Sequence, residues 1–420
     1  GHGAHCLDRG RVLIDDHHGC RRIAIGLMTL ESQIPMPSQP VPRRFALRLA
    51  MFYAAVFGLV GAYLPFFSVW LNAVGIPAGW IGVIIAAPSI ARLTTLPLIT
   101  HAAERRHALR AAMILTALLT CLGFAALSRM RDPVAVLAVF ALTACAWTPL
   151  VPLTDGYALK SVARYGLNYG PLRLWGSAAF VVVALASGLI SRAIEPSHLV
   201  WLIAAMAGIG ALCGLALAPI DAAAPRDAPR PSALALLRHP TFLTIILAAA
   251  LIQASHAPYY TFGSIAWQAA GFDGVAIAAL WSIGVIGEIV VFALSPRFTL
   301  SPSGLMLVGA ASAIVRWLVT ALSPPLAVLA PVQLMHGLTF GITQVGAMAL
   351  MLRHVPHQLT ASAQGYLTAA TGLMMSGGAI LSGVIYARYG DAVYLFSAAM
   401  GLAGAALVAV RRRSLEAHDA

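Results

Sequence analysis

From about residue 45 onward the chain is a succession of apolar runs, each long enough to cross a bilayer, for which about 20 helical residues suffice. The runs fall near 45–70, 80–99, 109–128, 133–154, 171–191, 197–219, 240–267, 274–296, 302–322, 326–350, 359–387 and 391–410, and predict twelve transmembrane helices. No other feature constrains the fold as much. Inside lipid every backbone N–H and C=O must be paired within the protein, and a helix achieves this inside one segment. The composition agrees: 60% of residues are hydrophobic and 10% charged, with a mean hydropathy of +0.83, whereas soluble domains carry about a quarter charged residues. The expected fold class is an all-α membrane protein.

A net charge of +12 would suit a nucleic-acid partner, but the placement of the basic residues points to a membrane instead. If both termini are cytoplasmic, the inner segments hold Arg43, Arg44, Arg48, Arg105, Arg106, Arg110, Lys160, Arg164, Arg173, Arg226, Arg230, Arg238, Arg297, Arg353 and Arg411 to Arg413. The outer loops hold only Arg129, Arg131, Arg192 and Arg388. That asymmetry is the positive-inside pattern of a multi-pass protein with both termini cytoplasmic, with membrane lipid as its surroundings and no nucleic acid. Between the sixth and seventh runs, Pro219 to Pro231 is rich in Pro, Ala and charge and divides the chain into six plus six. The expected organisation is a disordered extension at 1–42, a six-helix half at 43–219, a cytoplasmic linker at 220–238, a second half at 239–411 and a cytoplasmic tail at 412–420.

The first forty residues do not read as a targeting signal, because Arg9, Arg11, Asp15, Asp16, Arg21 and Arg22 interrupt every short apolar run. Translation is expected to start at Met28 or Met36. His2, His5, Cys6, His17, His18 and Cys20 lack the spacing of a metal site. Cys121, Cys145 and Cys213 lie in spans as small apolar residues. No metal, cofactor or disulfide framework is expected. The absence of HExxH and GxSxG patterns argues against an embedded enzyme.

Glu288, Arg316 and His336 lie deep inside the eighth, ninth and tenth runs. A charge at mid-membrane costs about 3 kcal/mol on insertion scales, so such residues mark solute or proton pathways. Glu288 and Arg316 are expected to pair, each offsetting the other's desolvation; the alternative is a fixed ion pair that only locks two helices. His336 beside them supplies a group whose charge can change near neutral pH. By helical spacing Gln333, His336 and Phe340 share one face of the tenth helix. Gln253, His256 and Tyr260 share one face of the seventh, with Tyr259 adjacent.

In the first half Asp155 ends the fourth run and Arg173 opens the fifth, at facing ends of a hairpin where they could pair or share a ligand. Arg173 could equally anchor the helix at the cytoplasmic surface, with Trp175 in the aromatic belt. Arg92, after Pro88 in the second run, has only Asp155 or Glu104 as potential partners in its own half, and its role stays open. Pro65, Pro88, Pro149, Pro152, Pro258 and Pro331 each remove a backbone donor within a run. The pairs Gly337 and Gly341, Gly372 and Ser376, and Gly378 and Ser382 permit close helix contact, and packing is preferred over gating for all of them.

Segments from both halves carry a family resemblance: Leu64 to Leu71, Pro149 to Asp155, Arg173 to Ser177, Gln253 to Tyr260, Trp267 to Phe272 and Leu280 to Val285, with Glu288, Arg316, Trp317 and His336. The chain from about residue 45 resembles the 3-phenylpropionic acid transporter group of the major facilitator superfamily, within its phenylpropionate, nucleoside and oligosaccharide proton symporter-like branch. The resemblance implies two six-helix halves with the substrate site near the midplane between them. Lactose-type symporters hold substrate with a carboxylate on the fourth helix and an arginine on the fifth, places that Asp155 and Arg173 occupy here. Their acid, arginine and histidine on helices eight, nine and ten are matched by Glu288, Arg316 and His336. Two departures matter: Thr339 stands where sugar permeases have the proton-carrying carboxylate, and Thr100 to Arg106 lacks the usual Gly and Asp pattern of the superfamily loop.

The resulting expectation is a proton-coupled symporter, acting as a monomer, that imports a small aromatic carboxylate such as 3-phenylpropionate by alternating access. Arg173 or Arg316 would meet the acid group, because a guanidinium binds two oxygens at once. Substrate contacts are expected from Asp155, Arg173, Gln253, His256, Tyr259, Tyr260, Arg316 and Gln333, with Tyr259, Tyr260 and Trp267 lining an aromatic-accepting cavity. Proton coupling is expected from Glu288, Arg316 and His336, the carrier being Glu288 or His336. The alternatives are an efflux antiporter, a proton symporter for a sugar or nucleoside, and a non-transporting sensor.

Overall fold

The computed structural model describes residues 44–165, 167, 169–220, 233–356 and 359–417. The expected extension at 1–42, with its histidines, cysteines and start sites, lies outside the described residues, as does 221–232 of the expected linker. The described elements are helical. The first half comprises α1 (Phe45–Ala73), α2 (Ala78–Arg105), α3 (Leu109–Leu127), α4 (Pro133–Trp147), α5 (Leu150–Tyr165), α6 (Tyr169–Ile190) and α7 (Val200–Leu215). The second comprises α8 (Pro240–Ala254), α9 (Ala257–Ala269), α10 (Gly274–Leu294), α11 (Pro302–Thr320), α12 (Leu326–His336), α13 (Thr343–His354), α14 (Thr360–Tyr389), α15 (Val393–Val410) and α16 (Arg412–Glu416).

Eleven described stretches are long and apolar enough to cross a membrane. The last, Ser362–Val410, spans 49 residues and contains both α14 and α15, parted by a single turn at Gly390–Ala392. Local chemistry sets several helix starts. Asp132, Asp273 and Ser301 each accept a hydrogen bond from a backbone N–H in the first turn of α4, α10 and α11, which satisfies donors that a helix leaves open.

Three spans are interrupted, two of them where proline removes a donor. α4 passes to α5 at Pro149, and α8 to α9 just before Pro258. The third interruption is a π-helical turn at Gly337–Ile342, between α12 and α13. Pro331, six residues earlier, sits inside an unbroken α12.

Each half centres on a core of its own, and the first core also takes in Phe262, Ile265 and Ala278 of the second half. Phe45, Tyr53, Phe67, Trp70, Phe124 and Phe140 are buried together in the first, and Phe242, Tyr259, Trp281, Trp317 and Tyr394 in the second. The expected tail is part of this body, because α16 docks on the second half. Leu415 is fully buried, and Glu416 accepts hydrogen bonds from Ser303 and Arg353.

The halves meet through α1 with α9, α2 with α14 and α6 with α10. Near the start of α2 and the end of α14 the backbones approach so closely that a side chain at Gly82 would collide with the Ala379 carbonyl. Ser376 donates to the Ala86 carbonyl at 3.2 Å, and Arg192, just past α6, pairs with Asp273 at the start of α10. The Asp273 carboxyl lies below its ordinary pKa because the Ala276 N–H and the Arg192 guanidinium stabilise the charged form. Farther along, Arg92, Thr94, Gln364 and Thr368 are exposed. The two halves are therefore gathered at one end and parted by a cleft toward the other.

Candidate functional site

The second half builds its polar site around a cation. The Arg316 guanidinium, on α11, is fully buried and donates to Gln333 Oε1 at 2.9 Å, Thr339 Oγ1 at 3.2 Å and His336 Nδ1 at 3.0 Å. Its planar face lies over the rings of Tyr259 and Trp317, at 4.9 and 4.5 Å from their centroids, where the π-electrons favour positive charge. Each ring is braced in turn: Trp317 donates to Ser255 Oγ at 2.9 Å, and Tyr259 packs against Trp281.

These contacts fix the tautomers of two histidines. A guanidinium has only donors, so His336 Nδ1 must present its lone pair and the ring proton sits on Nε2. That nitrogen faces Glu288 Oε2 at 3.8 Å, too long for a direct hydrogen bond but within electrostatic range. His256 Nδ1 faces the Gln253 carbonyl at 2.8 Å and must donate, so its Nε2, 2.8 Å from Thr339 Oγ1, accepts. Thr339 thus receives from Arg316 and gives to His256.

The expected Glu288–Arg316 ion pair is absent among the described residues. The two are joined through the His336 ring, because the π turn and Gly337 bring the tenth span against α10. A side chain at Gly337 would collide with the Gly287 carbonyl, and Gly341 faces Val291, so His336 is set beside Glu288. Close packing of the GxxxG pair thereby positions the polar site.

The first half is built around an anion. Asp155 lies inside α5 rather than at the end of a span, since the helix continues to Tyr165. Its Oδ1 accepts from Tyr53 on α1 at 2.7 Å and from Tyr169 on α6 at 3.0 Å. The suggested Asp155–Arg173 pair does not form among the described residues. Arg173 lies over the Phe57 ring, 3.9 Å from its centroid, and within electrostatic range of Glu288 across the cleft.

Burial sorts the expected contact residues. Gln253, His256, Tyr259, Arg316 and Gln333 are buried, so they shape and hold the site from within the helix packing and do not present themselves to the cleft. Trp267, expected to line the cavity, is buried too. Arg173, Tyr260 and Glu288 are partly exposed, and Arg92 is exposed. Tyr260 stacks with Trp281 at 5.9 Å and lies within electrostatic range of both Glu288 and Arg92.

Three participants escape a reading of the sequence. Gln344 accepts from Gln253 Nε2 at 2.7 Å; the signal was its spacing of four from Phe340, which extends the Gln333 stripe by a turn. Tyr53 and Tyr169 offered only the general rule that a phenol inside a membrane helix needs a partner. Among the described residues no cluster of His, Cys, Asp and Glu is arranged to hold a metal ion.

The model of the MFS_1 like family matches residues 46–398. The chain is 31% identical over 365 residues, 84% of its length and 94% of the relative's, to a probable 3-phenylpropionic acid transporter of Escherichia coli (strain K12). It is 28% identical to a maltose permease of Geobacillus stearothermophilus, over 82% of this chain and 89% of that one. Among solved structures, the nucleoside transporter NupG superposes with a TM-score of 0.77 at 18% identity, covering 88% of this chain and 99% of NupG. A POT family peptide transporter superposes at 0.64 and 15% identity, covering 89% and 97%. These likenesses show the major facilitator fold.

Proposed function

The chain belongs to the MFS_1 like family of membrane transporters, and from that premise we propose that it is a proton-coupled symporter importing a small aromatic carboxylate across the bacterial inner membrane, with both termini cytoplasmic. Secondary transport, and not an enzymatic reaction, is the activity of its family and relatives. The substrate class is that in the name of the Escherichia coli relative. The two halves would rock about a midplane site, monomer by monomer, in alternating access. The end held by Arg192 and Asp273 is then the outer one, and the cleft opens to the cytoplasm.

The observation that carries the reading is the row of three groups in which Arg316 donates to His336 and the other ring nitrogen of His336 faces Glu288 at 3.8 Å. Arg316 occupies the lone pair of His336, so a second proton cannot enter that ring unless the contact breaks. Glu288 has no such obstacle, borders the cleft and faces the His336 Nε2–H. It is therefore the proton carrier in this mechanism, and His336 orients it. Importing a monoanion against an inside-negative potential costs about 2.3 kcal/mol per 100 mV, and one co-transported proton cancels that charge.

Uptake of labelled 3-phenylpropionate into proteoliposomes under an imposed pH gradient, with and without an uncoupler, tests substrate, direction and coupling together. The expected result is accumulation that the uncoupler abolishes. Outward movement would establish an efflux antiporter. Uptake of labelled maltose or a nucleoside in its place would establish a sugar or nucleoside symporter, the first of which the maltose permease relative favours.

A further inference from the structure

Three arginines sit at membrane depth, and the structure leaves one of them without a counterpart. Arg316 is enclosed, with three acceptors and two aromatic faces. Arg173 lies on the Phe57 ring and within range of Glu288. Arg92, on α2, makes no hydrogen bond or ion pair among the described residues; Asp155 is taken up by two phenols, and Glu104 lies three turns further along the same helix. An uncompensated guanidinium inside a membrane protein is costly, and such a charge marks a solute pathway.

The surroundings of Arg92 indicate what would compensate it. Its side chain is exposed, yet the hydroxyls of Tyr63 on α1 and Tyr260 on α9 both lie within electrostatic range. Those tyrosines belong to opposite halves, so Arg92 stands between the halves and not against lipid. Each of these tyrosines belongs to an aromatic cluster. Tyr63 packs against Trp147 at 4.2 Å and Phe67 at 5.0 Å, and Tyr260 stacks on Trp281. A single cation between two aromatic clusters suits a monoanion that carries a ring, and Glu288 on the far side of Tyr260 disfavours a second negative charge. A carboxylate also fits the planar two-donor fork of a guanidinium.

We infer that Arg92 is the carboxylate ligand of the transported acid, with the partly exposed rings of Tyr260 and of Trp147, which packs on the buried Tyr63, receiving its ring. This rests on the aromatic-carboxylate reading above and deepens it, replacing Arg173 or Arg316 as the group that meets the acid. The ligand becomes the missing counter-ion of α2, and its binding in the cleft neutralises a charge that otherwise faces water between the halves.

The test compares the binding of 3-phenylpropionate and of neutral 3-phenylpropionamide to the purified full chain by isothermal titration. The native protein should prefer the acid, and Arg92→Gln should bind the acid about ten- to a hundredfold more weakly while keeping its affinity for the amide, the loss expected for one charge-assisted contact. Retained amide binding shows that the variant is folded. Should Arg92→Gln not fold, Arg92→Lys decides instead: it keeps the charge but loses the fork, and the preference for acid over amide should fall several-fold. An unchanged preference in the folded variant overturns the role of Arg92 and leaves the aromatic-carboxylate reading standing. Binding of neither compound by the native protein overturns both.

Discussion

In the first half the partly buried carboxylate of Asp155 is held by two phenols, and the arginines at positions 92 and 173 keep a free side toward the cleft. In the second half the buried guanidinium of Arg316 is held by an amide, a hydroxyl and a neutral imidazole, and the carboxylate of Glu288 borders the cleft. One half shields its anion with neutral groups and offers cations; the other shields its cation and offers an anion. Each shielded charge is held by dipoles of its own half, although Arg316 Nε is left without an acceptor. In the proposed mechanism the charges left over are the ones that a substrate and a proton neutralise. An ion pair inside either half would have removed that opportunity, since paired charges in a membrane have no reason to take up a ligand.

The largest effect expected from disturbing this arrangement comes from its most enclosed member. Arg316→Ala leaves the acceptors Gln333, His336 and Thr339 facing a void, and should cost about 3 to 5 kcal/mol of stability, because each buried acceptor left unpaired costs about 1 to 3 kcal/mol. Thermal unfolding in detergent measures it, and a variant as stable as the native protein would remove Arg316 from the centre of the second half. Next comes Glu288→Gln, which keeps the shape but cannot carry a proton. Accumulation driven by a pH gradient, worth about 1.4 kcal/mol or tenfold per pH unit, should vanish, while exchange of labelled for unlabelled substrate continues in part. Normal accumulation by this variant would break the proposed division of roles. The smallest effect is expected from Tyr53→Phe, which leaves Asp155 with Tyr169 as its phenol donor. A loss of about 1.5 to 3 kcal/mol is anticipated for one hydrogen bond to a charged group, visible in the same unfolding measurement, and coupling should be preserved. Loss of coupling there would mean that the two halves are less separate than their hydrogen bonds indicate.

Particular residues mark how far the sequence could be read. Twelve apolar runs were visible because insertion depends on the summed hydrophobicity of one segment, and α14 and α15 are two such runs joined by one short turn. Prolines mark the breaks at Pro149 and before Pro258, but Pro65, Pro88 and Pro331 stand inside unbroken helices, so the missing donor alone did not say which spans would break. The π turn after His336 was not visible, since no proline marks it. Asp155 was read as the end of a span because apolarity fades there, although its helix runs on for another ten residues. The expected partner of Arg316 was the nearest opposite charge, whereas the structure supplies three uncharged acceptors and two rings.

The sequence by itself determined that this is a helical membrane protein, which residues carry polar chemistry at membrane depth and that Gly337 and Gly341 permit close contact, because each of these depends on the composition or spacing of one segment. Only the tertiary structure decided which polar groups meet. A helix turns about 100° per residue, so a small rotation, or the one π turn beside Gly337, exchanges one partner for another. It was this rotational setting that enclosed Arg316 with His336, gave Asp155 to Tyr53 and Tyr169, and left Arg92 and Glu288 facing the cleft.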